Sequence, residues 1–254
     1  MKANTPPTFG DALPELTELE GEPLVSQQSY GLSALRFRQT WMPTLLDVRR
    51  RLISRLSTLD SVFDRHAIDG VKRRTERSAL QEGLVSALWQ CWCAFCRDAV
   101  LASAQGTSTR GGTPVTSPLV GKSELEICFV ARELAFRRSV TTIRPLAGRH
   151  LEPTWGDLAK LNLILSGIAS SNQSQLLSAF GVALALADLQ TCRNASAHLN
   201  SDTIATVRAT RVRYQDTRFV HPSDVVFWID PHTRDYVWKT WVDEITVVSD
   251  LAVA

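Results

Sequence analysis

The chain has 254 residues, a formal net charge of +2 and a hydrophobic share of 44%. This length allows one large hydrophobic core or two modest ones, so one domain with an appendage is expected. Five cysteines, an odd number, fit a reducing compartment better than a disulfide framework. No apolar run is long enough to cross a bilayer, and residues 1–7 lack the apolar core of a signal peptide. We therefore expect a cytoplasmic protein without a membrane partner.

The charge is distributed unevenly along the chain. Residues 1–29 contain one lysine and five carboxylates, a net charge of −4, so the remaining residues carry +6. Proline, threonine and glutamate are frequent in this segment, which predicts an extended acidic N-terminal arm. Residues 30–254 are predicted to form one helical domain. A basic body suits a polyanionic partner, although arginine-rich helix faces are more often simply solvated.

The first half of the domain has the apolar period of amphipathic helices. One helix is predicted over 32–63 and is expected to be kinked or divided at Pro43. A second helix is predicted over 71–104 and a third over 123–139. Residues 104–122 are rich in Gly, Ser, Thr and Pro without apolar periodicity, which predicts a long loop between the second and third helices.

The second half is also mainly helical. A short helix is predicted over 157–165, where an aspartate is suited to the N-cap. The apolar run 176–189 has the composition of a buried helix, and a last helix is predicted over 233–253. Residues 225–229 have the composition of a strand but no clear partner, so a minor extended segment is expected near 214–229. The predicted fold class is all-α.

Three cysteines on the second helix raise the question of a metal site. Cys91 and Cys93 would point about 200° apart on a helix, at about 100° per residue, so they and Cys96 cannot close on one ion. We interpret them as small apolar residues of a core helix. No cofactor or metal is expected.

A cation, an amide and an imidazole follow the apolar run 176–189: Arg193, Asn194 and His198. If the helix continues, Asn194 and His198 lie one turn apart on the same face. The long side chain of Arg193 reaches the same place. A looser Arg-to-His spacing at 144–150 contains a proline and a glycine that oppose a helix, so we interpret it as a coincidence.

These three side chains suit the cleavage of RNA through its own 2′-hydroxyl. Histidine accepts or returns a proton near neutral pH. The arginine fork matches a phosphate and stabilises charge that develops on it, and asparagine holds the imidazole or a phosphate oxygen in place. The nucleophile comes from the substrate, so no protein Ser or Cys is needed. The alternative is that Arg193 and His198 only cap a helix C-terminus, where positive charge complements the helix dipole.

This Arg-Asn-x-x-x-His motif, at the end of an apolar helix, resembles the signature of the HEPN superfamily (higher eukaryotes and prokaryotes nucleotide-binding). The tryptophan-containing helix at 86–98, the turn 153–157 and the Asp-Thr pair 202–203 are similar to the large bacterial branch linked to defence. The resemblance covers roughly 71–253, with the motif core at 71–214.

The resemblance implies a HEPN-like helical bundle in which two copies of the motif form one composite site across a homodimer. Arg193 and His198 would be essential and Asn194 supportive. It implies a metal-independent endoribonuclease that cleaves RNA as a toxin or effector in antiphage defence, abortive infection or a toxin–antitoxin system. Such an enzyme needs restraint by an antitoxin or sensor partner, and the acidic arm at 1–29 is a candidate blocker of a basic groove.

The family often has an acidic residue on its first core helix as well. The alignment through the tryptophan-containing helix places Cys93 there, which departs from that pattern. Gln90 and Asp98 are the candidates to substitute for it.

The alternative function is a catalytically inactive HEPN scaffold that dimerises or binds a partner protein. Tryptophans in or near the helical faces could furnish its interface, although core packing explains them equally well. These are Trp89, Trp92, Trp238 and Trp241.

Overall fold

Helices dominate the part of the chain that the computed structural model describes, residues 43–68 and 73–254, which confirms the all-α prediction. The predicted acidic arm, residues 1–29, and the first part of the helix predicted over 32–63 lie outside these residues. The described residues belong to one compact unit, Met42–Ala254. The α-helices are α1 (Leu45–Val62), α2 (Arg74–Gln105), α3 (Glu124–Ala135), α4 (Leu158–Ile168), α5 (Gln173–Gly181), α6 (Leu186–Ala197), α7 (Ser201–Thr210) and α8 (Val237–Val253).

A capping box begins the first helix directly after Pro43. Thr44 Oγ1 accepts a hydrogen bond from the backbone N–H of Asp47, and Asp47 Oδ2 accepts one from the backbone N–H of Thr44, both at 3.1 Å. These bonds satisfy backbone donors that have no partner within the helix. Pro43 therefore lies outside α1. The helix leads into a π-helical turn, Phe63–Ile68.

The central element is α2, which contacts α1, α3, α4, α6 and α8. Its side chains are buried around much of its circumference, as expected for a core helix. Trp92 packs edge-on against Phe180 of α5, with the ring centroids 5.6 Å apart. Cys91 and Cys96 are buried and Cys93 is partly buried. Their positions agree with the interpretation of these cysteines as core residues.

Residues 104–122 are not a loop throughout. They contain a short antiparallel hairpin of β1 (Thr107–Ser108) and β2 (Pro114–Val115). At its tip the backbone N–H of Arg110 donates to the carbonyl of Val253 at 2.7 Å, which ties the hairpin to the end of α8. The loop prediction is wrong for this hairpin, because main-chain hydrogen bonds stabilise it without any apolar periodicity.

The apolar run 176–189 is divided between two helices. Helix α5 ends at Gly181 and α6 begins at Leu186, and the two helices are bent by 69°. At the break, both carboxylate oxygens of Glu244 accept from the backbone N–H of Ala185, at 3.0 and 3.1 Å. The prediction of one continuous helix is wrong because this contact from α8 fixes a new helix start. Within the described ranges, no single helix is long and apolar enough to span a membrane.

Residues 225–229, which have the composition of a strand, do not form one. The chain there forms a 3-10 helix, Pro222–Phe227, with a proline at its first position. Within 214–236, Ile229 forms isolated bridges with Gln215 and Tyr236. The minor extended segment expected near 214–229 is thus reduced to these bridges.

The tryptophans of the scaffold hypothesis belong to the core. None is more than 5% exposed: Trp89, Trp92, Trp238 and Trp241. The indole N–H of Trp92 donates to the carbonyl of Gly156 at 3.1 Å, and Trp238 stacks on Phe63 with the ring centroids 5.0 Å apart. These four rings therefore do not form a surface for a partner.

Candidate functional site

Helix α6 packs against α2, and its buried face includes Leu189, Cys192 and Ala195. These residues recur at three-residue steps, so they line one side of the helix. The intervening Arg193 and Asn194 are only partly buried. The packing of α6 therefore directs the polar motif residues toward its accessible side.

A carboxylate anchors the N-terminal half of α6. Asp188 is 8% exposed, accepts from the Tyr214 hydroxyl at 2.5 Å, and pairs with the guanidinium of Arg213. Burial and the hydrogen bond to Asp188 raise the pKa of Tyr214. An acidic group in the first turn also complements the positive end of the helix dipole. The chain after α7 is thereby fixed against the helix that carries the motif.

The predicted site residues are only partly brought together. The Arg193 guanidinium donates to Asn194 Oδ1 at 3.2 Å. Helix α6 ends at Ala197, and His198 leaves the helix with φ −133° and ψ 71°. The carbonyl of His198 accepts a hydrogen bond from Thr203 Oγ1 at 2.7 Å. The imidazole ring of His198 is exposed and has no hydrogen-bond partner within 73–254.

A pocket of about 340 Å³ lies between α2 and the C-terminal half of α6. Its polar walls are Glu82 and Ser86 from α2 and Arg193 and Ser196 from α6. The side chain of His198 does not line it. One chain therefore supplies a cation, a carboxylate and hydroxyls to this pocket, and presents its imidazole elsewhere.

Glu82 is the carboxylate that the sequence reasoning missed. Asp98 pairs with Arg51 of α1 at 3.1 Å, on the side of α2 that faces away from this pocket. Gln90 is exposed and donates to Ser86 Oγ at 3.4 Å. Glu82 precedes Cys93 by about three helical turns and so shares its face. This helical spacing to Cys93 is the sequence feature that could have identified Glu82.

Cys93 itself packs beneath the turn at 153–157. An atom added at the Cβ position of Gly156 would lie 2.7 Å from both Cys93 Sγ and the Trp89 ring, so only glycine fits. Burial raises the pKa of Cys93 to about 11, although nearby Arg193 acts in the opposite direction. The thiol is therefore not a nucleophile at neutral pH.

The second Arg-to-His spacing forms no site. His150 belongs to a short 3-10 helix, Arg149–Leu151, and the guanidinium of Arg144 lies over the Phe129 ring at 5.2 Å. In the described part of the chain, no group of three His, Cys, Asp or Glu side chains could hold a metal ion.

In comparison with known proteins, the chain matches no protein-family model, no curated protein and no solved structure. The HEPN resemblance therefore rests on the motif residues and their sequence context. The function that it implies remains a prediction.

The Glu244 carboxylate at the start of α6 is expected to make the stability of the fold depend on pH. Burial and the neighbouring Asp188 and Asp230 carboxylates raise the pKa of Glu244 to about 7, despite the hydrogen bond from Ala185. Between about pH 4.5 and 7 the folded chain holds a proton that the unfolded chain releases, so the free energy of unfolding falls as pH rises through this range.

Glu244→Gln removes this titration. The difference in melting temperature, variant minus wild type, should therefore be a few degrees larger at about pH 8 than at about pH 5. Thermal melts of both proteins at both pH values measure the difference, and the exposed Glu76→Gln on α2 is the control. An equal change in the variant and the wild type would contradict the role of Glu244.

Proposed function

We propose that the chain is a metal-independent endoribonuclease of the HEPN type that cleaves RNA through the 2′-hydroxyl of the substrate. The observation that carries this proposal is the orientation of Arg193 by Asn194 at the wall of a pocket. A guanidinium held there is suited to a phosphate, because its fork can donate two parallel hydrogen bonds. Its hydrogen bond goes to a side chain and not to the carbonyls at the end of α6, which favours a binding role over helix capping.

The position of His198 supports a composite site. The imidazole is exposed beyond the end of α6 and does not line the pocket of its own Arg193. A second copy of the chain, placed with its α6 end against the first, would bring the imidazole of one protomer to the pocket of the other. In this homodimer Arg193 binds the scissile phosphate, Asn194 orients Arg193, and His198 transfers a proton.

Unrestrained RNA cleavage would damage the cell that makes the enzyme. We therefore propose a role as a toxin or effector in antiphage defence or a toxin–antitoxin system, restrained by an antitoxin or sensor protein. The acidic arm, residues 1–29, is a further candidate inhibitor because its charge is opposite to that of the remaining chain. Unchanged cleavage and unchanged RNA affinity after deletion of this arm would contradict that role.

The chemistry is tested with the purified full chain and labelled RNA in the presence of EDTA. We expect cleavage that leaves a 2′,3′-cyclic phosphate and a 5′-hydroxyl, and no cleavage of DNA of the same sequence, because DNA lacks the 2′-hydroxyl. End-group analysis of the fragments identifies the products. Strict metal dependence, or equal cleavage of DNA, would contradict the proposal. Dimers without any cleavage would instead favour the catalytically inactive scaffold.

A further inference from the structure

A row of polar side chains leads from the protein interior to the Arg193 pocket. Ser223 Oγ lies 3.1 Å from the side-chain amide of Gln81, and both residues are fully buried. Ser223 Oγ also lies 2.8 Å from His221 Nδ1, and His221 Nε2 lies 3.2 Å from Glu82 Oε1. The row therefore ends on the carboxylate that lines the pocket.

The tautomer of His221 follows from its cap contact. Nδ1 accepts from the backbone N–H of Ser223 at 3.3 Å, as the N-cap of the 3-10 helix Pro222–Phe227. A neutral ring that accepts at Nδ1 carries its proton on Nε2. Nε2 lies 3.2 Å from Oε1 of the Glu82 carboxylate. The backbone N–H of His221 donates to Asp224 Oδ2 at 2.7 Å, which fixes the backbone of His221.

Glu82 has one oxygen next to the His221 ring and a partly exposed side chain. Within 43–68 and 73–254 its Oε2 atom has no hydrogen-bond donor, and its side chain is 41% exposed. A carboxylate only accepts hydrogen bonds, so Oε2 is suited to a hydroxyl group in the pocket. Arg193 lines the same pocket and is the proposed phosphate-binding residue. A ribose next to the bound phosphate would present its 2′-hydroxyl to Glu82.

We propose that Glu82 is the catalytic proton acceptor of this site and that His221 is the positioning residue that holds it. The inference rests on the proposed RNA cleavage. Glu82 Oε2 takes the 2′-hydroxyl proton while the 2′-oxygen forms its bond to phosphorus. The bond from phosphorus to the 5′-oxygen then breaks. The protonated His198 of the second protomer supplies the proton to that leaving oxygen. The products are the cyclic phosphate and a free 5′-hydroxyl.

Glu82→Gln keeps the shape of the side chain and removes its ability to accept a proton. We expect kcat for RNA cleavage to fall about 100-fold with little change in KM. Binding of an RNA with a 2′-deoxy sugar at the scissile position should be unchanged, because that sugar offers no proton. Glu76→Gln, a surface glutamate in the first turn of α2, is the matched control and should cleave like wild type.

The role of His221 is tested by a pair of variants. His221→Leu removes the ring N–H and should lower kcat about 10-fold, whereas His221→Gln retains an N–H donor and should recover most of that loss. Equal loss in both variants, at equal melting temperatures, would overturn the positioning role.

The outcomes also separate this inference from the proposed function. Cleavage by Glu82→Gln within about threefold of wild type would overturn Glu82 as proton acceptor and leave RNA cleavage intact. If Glu82→Gln instead binds the 2′-deoxy RNA more weakly, in proportion to its loss of cleavage, Glu82 is a binding residue. That result would also overturn its role as proton acceptor. A wild-type chain that cleaves no RNA overturns the proposed function and, with it, this inference.

Discussion

Arg193→Ala is expected to lower the rate of RNA cleavage at least about 100-fold while the melting temperature stays close to wild type. The loss is large because the guanidinium stabilises the charge that develops on the scissile phosphate. The fold should tolerate the change, since the side chain is only partly buried and its hydrogen bond goes to Asn194. Arg193→Lys should retain little of the activity, because an ammonium group cannot reproduce the fork. Initial rates of cleavage measure the effect.

A matched control is available on the other side of α2. Arg55 of α1 is exposed and lines a separate pocket with Arg50 and Arg51. Arg55→Ala should cleave RNA like wild type, because that pocket is formed on the opposite face of α2 from Glu82. Equal activity of the Arg193 and Arg55 variants would contradict the assignment of Arg193.

The composite site gives this variant a second use. Arg193→Ala and His198→Ala should each be inactive alone, but a mixture that exchanges subunits should regain up to about a quarter of the wild-type activity. About half of randomly paired dimers contain both variants, and in each of these one of the two pockets has an intact Arg193 and an intact His198. Subunit exchange without recovery of activity would mean that both residues act within one chain.

Arg97→Ala should have the largest effect on stability, a loss of about 3–5 kcal/mol. Arg97 is 18% exposed, and its guanidinium donates to Glu152 Oε2 at 2.7 Å and also pairs with Glu124. Burial alone would raise the pKa of Glu152, but the hydrogen bonds from Arg97 and Trp155 hold it below its ordinary value. Without Arg97, the 9% exposed Glu152 would be an unpaired buried charge. Chemical denaturation measures the loss.

The pH dependence identifies the cause. Because the pKa of Glu152 is lowered by folding, this carboxylate stabilises the protein above its unfolded pKa, and the contribution is lost as pH falls through its folded pKa. The difference in the free energy of unfolding between Arg97→Ala and wild type should therefore become smaller at acidic pH. Arg149→Ala is the control: its side chain is 75% exposed and pairs with Glu124 at 3.0 Å, so the change should cost less than about 1 kcal/mol. A gap that is constant with pH would contradict an unpaired carboxylate.

The helical class and much of the helix placement follow from local patterns in the sequence. Apolar residues at helical spacing predicted α2 and α8, and Asp157 predicted the start of α4, where its Oδ1 accepts from the backbone N–H groups of Ala159 and Lys160. These are local properties, in which a period or a cap is sufficient. The candidate residues Arg193, Asn194 and His198 were also found in this way, because they are neighbours in the chain.

Contacts between segments distant in sequence determine where the chain departs from its local patterns. The run 176–189 breaks because Glu244, distant in sequence, caps Ala185. The apolar residues at 225–229 do not form a strand, because no segment among the described residues pairs with them beyond an isolated bridge. Glu82 joins Arg193 at one pocket because α2 and α6 pack face to face. A period along one segment indicates which face is buried, but the partner of that face depends on packing between segments far apart in the chain.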